Sequence, residues 1–92
     1  MGELWQLYNV SIVLEYQLNA AGIKSPADLR AMGSKEAFHR LRERDETLGA
    51  DVLVSLEGAT QGMRWYKLPK EVQQELRDYY EATYGIGAKE ES

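Results

Sequence analysis

The fold of this chain is decided by the stretch Leu56-Glu57-Gly58-Ala59-Thr60-Gln61-Gly62-Met63-Arg64-Trp65-Tyr66-Lys67-Leu68-Pro69. Its apolar residues continue, at helical spacing, a stripe that consists of Val52, Leu53, Leu56, Ala59 and Met63. Gly62 is typical of the end of a helix, and Pro69 is typical of the start of the next one. Gly58 interrupts the helix, which costs about 1 kcal/mol relative to alanine unless a close helix contact compensates for it. The stretch therefore predicts a helix, a short turn and a long final helix.

The middle of the chain also contains several residues that typically mark the start or the end of a helix. Ser25 and Pro26 predict the start of a short helix, because serine caps a helix N-terminus and proline suits the first helical position. Gly33 ends this helix after about Met32. Ser34 is then predicted to cap a further helix that runs to about residue 45. The core side of that helix consists of Ala37, Phe38 and Leu41.

Two more helices complete the pattern, one at each end of the chain. The first ends at Gly22, and its apolar stripe consists of Val10, Leu14, Leu18 and Ala21, widened by Val13 and Tyr16. The last ends at Gly85, and the side chains expected to face the core are Val72, Leu76, Tyr79, Tyr80 and Tyr84. We therefore expect an all-α domain over residues 1–85, a compact bundle of about five short helices. Residues 86–92 are expected to form a flexible tail.

Length and composition exclude several classes of protein. The 92 residues suffice for one domain, and 43% hydrophobic with 28% charged residues is ordinary globular usage. The chain has no cysteine, which excludes a disulfide framework, a thiolate metal site and a cysteine nucleophile. No stretch approaches the ~18 apolar residues of a membrane span, and no signal-peptide pattern is present. We therefore expect a cytoplasmic protein that has no membrane partner.

The polar residues form no recognisable catalytic or ligand-binding motif. His39 lies on a charged helix surface, and the sequence pairs it with neither a serine nor an acid. Glu57 lies beside the apolar stripe, where a hydrogen bond to a neighbouring helix N-terminus or to Arg64 explains it better than a catalytic role. No phosphate-binding glycine motif, calcium loop or zinc motif occurs. The sequence thus predicts a protein that is not an enzyme and that has no cofactor or metal.

Several motifs resemble those of one known family, in the same order and at matching spacing. The stretch from Leu56 to Pro69 is similar to the L-E-G-A-x-x-G-x-x-W-x-x-L-P signature of the TfoX/Sxy C-terminal domain. Residues 18–29 look like the family's L-x-x-x-G-I-x-[ST]-x-x-D-L, and residues 33–41 look like its G-x-x-E-A-[FY]-x-x-[LI]. The resemblance implies a helical fold related to helix-hairpin-helix and SAM domains. It also implies a role in bacterial competence, DNA transformation and transcription regulation.

The chain departs from the family pattern near its start. The family usually reads L-P-N-[IL]-G-x, where this chain has Leu7-Tyr8-Asn9-Val10-Ser11. In helix-hairpin-helix proteins that bind DNA, glycine at such a turn lets backbone N–H groups approach a phosphate at a helix N-terminus. Ser11 can cap the following helix, but its Cβ restricts that close approach. The usual phosphate docking is therefore not expected at this turn.

Two functional hypotheses follow, and the sequence leaves the oligomeric state open. The first is a protein-interaction module in a competence or transcriptional-regulation pathway, with Trp5 or Tyr66 as the exposed contact and Trp65 in the core. The second is weak DNA binding through two positive bands, residues 24–44 and residues 64–70, each of net charge +3. Its candidate residues are Asn9, Ser11, Lys24, Arg64, Lys67 and Lys70. An enzyme stays in reserve only, because no titratable side chain has a partner that the sequence identifies.

Overall fold

The computed structural model describes residues 3–85, which form five α-helices and two single-turn 3-10 helices. The α-helices are α1 (Ile12–Ala20), α2 (Pro26–Met32), α3 (Ser34–Arg44), α4 (Ala50–Gln61) and α5 (Lys70–Tyr84). The first 3-10 turn, Leu4–Gln6, precedes α1, and the second, Trp65–Lys67, joins α4 to α5. The described residues contain no β-strand, and none of their helices has the length and apolar character needed to cross a membrane. The predicted all-α bundle is therefore confirmed.

Short polar side chains set the helix starts where the sequence predicts them. The Ser11 hydroxyl accepts a hydrogen bond from the Leu14 N–H at 3.1 Å and caps α1. The Ser25 hydroxyl accepts a hydrogen bond from the Asp28 N–H, also at 3.1 Å, and caps α2. Gly33 follows α2 directly, as expected for a helix end. The starts and ends of these helices are therefore set by interactions between residues that are close in the sequence.

Helix α4 lies at the centre of the bundle. It packs against α2, α3, α5 and the second 3-10 turn, whereas α1 packs against α3 and the first 3-10 turn. Removing apolar surface from water is the main stabilising contribution, at about 25 cal/mol per Å². The buried apolar residues form one core, which consists of Leu4, Val10, Leu14, Leu18, Ile23, Leu29, Ala37, Phe38, Leu41, Leu53, Val54, Leu56, Ala59, Leu68 and Leu76.

Three predictions of burial are wrong. Val13 and Tyr16 do not widen the buried stripe of α1, because they are 67% and 74% exposed. Trp65 is not in the core either: it is 40% exposed, whereas Leu68, which follows the same turn, is 2% exposed and packs inward. Helix α1 is apolar on two sides, so periodicity alone does not tell which side faces the core.

Ser34 also differs from its predicted role as a cap. Gly33 occupies the N-cap position of α3, and Ser34 is the first helical residue and is buried. Its hydroxyl donates a hydrogen bond to Glu57 Oε1 at 2.6 Å, and the Gln61 amide donates to the other carboxylate oxygen. Glu57 is thus bonded to the N-terminal residue of a neighbouring helix, which confirms the structural interpretation of this carboxylate.

The end of α5 is held against α3 by aromatic contacts. The Phe38 ring meets the rings of Tyr80 and Tyr84 edge-on, at centroid distances of 5.9 and 5.3 Å. Both tyrosines are partly buried, and Phe38 is fully buried, as predicted. The tail predicted for residues 86–92 lies outside the described residues.

Candidate functional site

Asn9 connects the N-terminal turn to the far end of α4. Its side-chain Nδ2 donates hydrogen bonds to the backbone carbonyls of Ser55 (3.2 Å) and Met63 (3.1 Å). Its Oδ1 accepts a hydrogen bond from the backbone N–H of Trp65 at 3.1 Å. The backbone of Asn9 has a φ of 71°, which asparagine adopts more readily than most residues that carry a Cβ. One side chain therefore joins segments that lie 46 to 56 residues apart in the sequence.

Gly58 leaves the space that the Asn9 side chain needs. A Cβ at position 58 would lie 2.5 Å from Asn9 Nδ2, 2.8 Å from the Met63 carbonyl oxygen and 3.2 Å from Trp65 Cα. A real Cβ does not come within 3.0 Å of such atoms, so the first two distances require a neighbouring group to move. The close contact explains why α4 carries a glycine in its interior despite the cost in helix propensity.

Three exposed aromatic rings surround this junction. Tyr8, which precedes Asn9, is 48% exposed, and Tyr66, which follows the half-exposed Trp65, is 58% exposed. The rings of Trp65 and Tyr66 meet edge-on at 5.6 Å between centroids. The Arg64 guanidinium lies 5.1 Å from the centroid of the Tyr8 ring, within the range of a cation–π contact. We call Tyr8, Arg64, Trp65 and Tyr66 the aromatic surface.

Sequence reasoning identifies Tyr66 and Arg64 as candidate contacts but misses the two other members of the aromatic surface. Trp65 is predicted in the core, and Tyr8 is considered only as a departure from the family pattern. A signal for Trp65 does exist in the sequence: Trp65 and Tyr66 lie between Arg64 and Lys67, in a short stretch where few side chains can face inward. No local signal identifies Tyr8, because its neighbour across the surface, Arg64, is 56 positions away.

The cations of the second positive band lie along the same turn and the start of α5. Arg64, Lys67 and Lys70 are all exposed. In the part of the chain that the structure describes, none of the three forms an ion pair with a carboxylate, unlike Arg40 and Arg77. Their positive charge is therefore available to an anionic partner, on a chain whose net charge is −4.

The remaining residues of the predicted DNA-contact set have other roles or positions. The Ser11 hydroxyl is used as the cap of α1, and the Asn9 amide is used within the protein. Lys24 is exposed and precedes α2, where its backbone N–H donates a hydrogen bond to Asp28 Oδ2 at 3.2 Å. Among the described hydrogen bonds and ring contacts, none links Lys24 to the aromatic surface. The structure thus brings together Asn9 and Arg64, with Lys67 and Lys70 nearby in the chain.

Trp5, the other predicted protein contact, lies in the first 3-10 turn and is 48% exposed. Glu15 of α1 holds this turn in place, since its Oε2 accepts hydrogen bonds from the backbone N–H groups of Leu4 (3.1 Å) and Trp5 (3.4 Å). Glu15 is itself only 4% exposed. A buried carboxylate is costly unless it is hydrogen-bonded, and these two donors meet that need.

His39 lies on the surface of α3, as predicted, and links it to α5. Its Nδ1 lies 3.1 Å from the Tyr84 hydroxyl, and its Nε2 lies 3.4 Å from a carboxylate oxygen of Glu43. Burial raises the pKa of the Tyr84 hydroxyl above its ordinary value of 10.0. Within the described residues, no group of three or more histidine and carboxylate side chains is placed to hold a metal ion. The contact with Tyr84 gives His39 a structural role, since it links α3 to α5.

Comparison with known proteins gives consistent results. The family model described as the TfoX C-terminal domain matches residues 1–80. Protein Sxy of Escherichia coli (strain K12) is 37% identical over 76 residues, which cover 83% of this chain but 36% of Sxy.

Two crystal structures from Listeria monocytogenes share the fold. One, of an uncharacterised protein in a triclinic form, has 43% sequence identity and a TM-score of 0.87, and the match covers 89% of this chain and 93% of that chain. The other, of a protein of unknown function in a tetragonal form, has 42% identity and a TM-score of 0.84, and the match covers 87% and 98%. Since the family model matches nearly the entire described chain, this protein belongs to the TfoX C-terminal domain family.

Proposed function

We propose that this domain is a non-catalytic protein-binding module that acts in the regulation of competence. It contacts its partner through the aromatic surface. The proposal rests on the exposure of Tyr8, Trp65 and Tyr66 around a single junction. Tyrosine, tryptophan and arginine are the residues that most often dominate the energy of protein interfaces. Sxy is a competence regulator, and the relationship to it supports the regulatory context.

The junction at Asn9 prepares the aromatic surface for binding. Three hydrogen bonds of its side chain position the turn that carries Trp65 before any partner arrives. Ordering a flexible side chain on binding costs about 0.5–1.5 kcal/mol, and aromatic rings have few rotatable bonds to order. A preformed surface of this kind therefore binds more tightly than a surface that makes the same contacts but becomes ordered only on binding.

The charge beside the aromatic surface favours an acidic partner. Arg64, Lys67 and Lys70 lack carboxylate partners within the described chain and lie on both sides of Trp65 and Tyr66 along the sequence. Complementary charge raises association rates and selects among partners more than it adds affinity. We therefore expect a partner surface that combines acidic side chains with apolar ones.

Weak binding of nucleic acid is the second candidate, and the same uncompensated cations favour it. Bases stack on exposed aromatic rings at about 1–3 kcal/mol per base, and cations nearby contact the phosphates. The Trp65 and Tyr66 rings next to Lys67 offer both elements. The net charge of −4 opposes strong binding, so the affinity is expected to be low and sensitive to salt.

A chimera tests the first proposal. This domain replaces the matching region of Sxy in Escherichia coli, and a competence-gene reporter measures induction. Because hot-spot residues contribute about 2 kcal/mol or more each, we expect the double variant Trp65→Ala, Tyr66→Ala to lower partner affinity, and with it induction, by at least about tenfold. Arg30→Ala, an exposed change on α2, is the control and leaves induction unchanged. Full induction by a folded double variant contradicts the proposal.

A titration with a single-stranded oligonucleotide separates the two candidates. Fluorescence of Trp65 is followed at low and at moderate salt, with the Trp65→Phe protein as the reference for the signal of Trp5. No quenching at low salt removes the nucleic-acid candidate. Quenching that weakens steeply as salt increases indicates phosphate contacts and supports it.

A further inference from the structure

Helix α1 carries a second exposed apolar surface. Ile12, Val13 and Tyr16 are 69%, 67% and 74% exposed, more than any other large hydrophobic side chain of the described residues. At 3.6 residues per turn, these three and the exposed Ala20 fall within an arc of about 100° around the helix axis. The opposite side of α1 faces the core. We call Ile12, Val13, Tyr16 and Ala20 the α1 outer face.

The α1 outer face carries no acidic or basic side chain. Glu15 is the only such residue of α1, and it is buried with its carboxylate bonded to the first 3-10 turn. By contrast, each of the other four α-helices exposes at least one charged residue. The chain as a whole has a net charge of −4. The α1 outer face itself is therefore uncharged and apolar, and beside Tyr16 and Ala20 it is bordered by one cation and one anion, Arg44 and Asp45.

The residues of this sequence outside the described range are poor in large apolar side chains. Residues 86–92 contain one large apolar side chain, Ile86, and a net charge of −1. Met1 and Gly2 together offer one more large apolar side chain. Burying Ile12, Val13 and Tyr16 needs an apolar surface of comparable size, because the stabilisation is proportional to the apolar area removed from water.

We propose that the α1 outer face is a self-association surface, on which α1 of a second copy packs about a two-fold axis. A two-fold interface uses the same patch on both subunits, so a neutral patch meets no like charge. Elsewhere two chains of net charge −4 repel each other. Ile12, Tyr16 and Ala20 follow each other at intervals of four residues, which is the ridge that commonly packs against a second helix. This inference uses a different surface from the proposed function and does not rest on it.

The size of the α1 outer face limits the strength of this dimer. The helix has nine residues and is about 13.5 Å long. Stable interfaces bury about 800 Å² per partner, which one face of so short a helix does not reach by itself. We therefore expect a reversible dimer with a Kd between about 1 μM and 1 mM.

Sedimentation of the full chain over about a hundredfold range of concentration around that Kd tests the proposal. The weight-average mass should rise from that of a monomer towards that of a dimer. Tyr16→Glu and Ile12→Glu place a charge at the centre of the proposed interface and should weaken association at least about tenfold, since like charges then face each other. Tyr66→Glu adds the same charge on the aromatic surface and should associate as the wild type does. Circular dichroism melting verifies that each variant is folded.

The following results overturn the proposal. The first is a wild-type mass that stays monomeric over the whole concentration range. This result is expected if a different protein, and not a second copy, covers the α1 outer face. The second is undiminished association of Tyr16→Glu. The third is loss of association in Tyr66→Glu, because the interface then includes the aromatic surface. Amide resonances that shift on dilution in α1 support the proposal, and shifts confined to residues 64–67 contradict it.

Discussion

Replacing Gly58 with alanine tests the junction between Asn9 and the second 3-10 turn. In an ordinary helix interior this change adds about 1 kcal/mol of stability, since alanine is the better helix former. Here the new Cβ would lie 2.5 Å from Asn9 Nδ2 and 2.8 Å from the Met63 carbonyl oxygen. The asparagine can rotate away, but the carbonyl belongs to the backbone, so relief requires the chain after α4 to move. We therefore expect Gly58→Ala to lower the free energy of unfolding and not to raise it.

The magnitude follows from three contributions. Forcing a methyl group into a filled space costs about 1–3 kcal/mol. Displacing Asn9 weakens up to three hydrogen bonds, each of which contributes about 0.5–1.5 kcal/mol. The gain in helix propensity offsets about 1 kcal/mol of this cost. Gly58→Ala should therefore lower the free energy of unfolding by about 2–4 kcal/mol.

Urea unfolding followed by circular dichroism measures this change. The matched control is Gly49→Ala, because Gly49, the N-cap residue of α4, has a φ of −107° and a Cβ there meets nothing within 4 Å. Its effect should stay within about 1 kcal/mol. In the double variant Asn9→Ala, Gly58→Ala, the clash with Nδ2 is absent. The double variant should therefore lose less free energy of unfolding than the two single variants lose together. A Gly58→Ala protein as stable as the wild type would refute the reasoning.

Three further changes test individual contacts. Asn9→Gly keeps the backbone φ of 71° accessible but removes three hydrogen bonds. It should therefore lower the free energy of unfolding, measured by urea titration, by about 2–4 kcal/mol. An unchanged free energy of unfolding would show that these hydrogen bonds do not stabilise the protein. Glu15→Ala removes the acceptor of the buried Leu4 N–H, which should cost about 1–3 kcal/mol and speed amide hydrogen exchange at Leu4 and Trp5; wild-type exchange rates contradict this. The raised pKa of Tyr84 means that its contribution to stability is complete below the unfolded value of 10.0 and is lost as the pH rises through the folded pKa. Unfolding midpoints measured from about pH 9 to 11 should therefore fall more steeply for the wild type than for Tyr84→Phe, and parallel profiles exclude this contribution.

Helix ends and most of the core could be predicted because they depend on neighbours in the sequence. Ser11 and Ser25 cap their helices through bonds to residues three positions later, and such bonds leave a local pattern. Phe38 and Leu41 are buried as expected, since only one side of α3 is apolar. The prediction fails at Tyr16, because α1 is apolar on two sides and local periodicity does not choose between them.

The aromatic surface could be predicted only in part. Tyr66 is exposed as expected, whereas Trp65 is half-exposed against expectation. Large aromatic residues are usually buried in a domain of this size, so composition favours the wrong answer for Trp65. The sequence suggests Asn9 as a contact for nucleic acid, yet its amide makes three hydrogen bonds inside the protein.

The sequence by itself determined the helical class of this protein, its helix ends and its family, because helical period, caps and glycine stops act over three or four residues. Tertiary structure alone decided which apolar residues face outward and which distant segments meet. The pairing of Asn9 with Gly58 and Trp65 is an example, since it closes a loop of about 50 residues and its contacts have no local period. The aromatic surface and the α1 outer face both follow from such long-range packing. They are the parts of the molecule on which its proposed binding function depends.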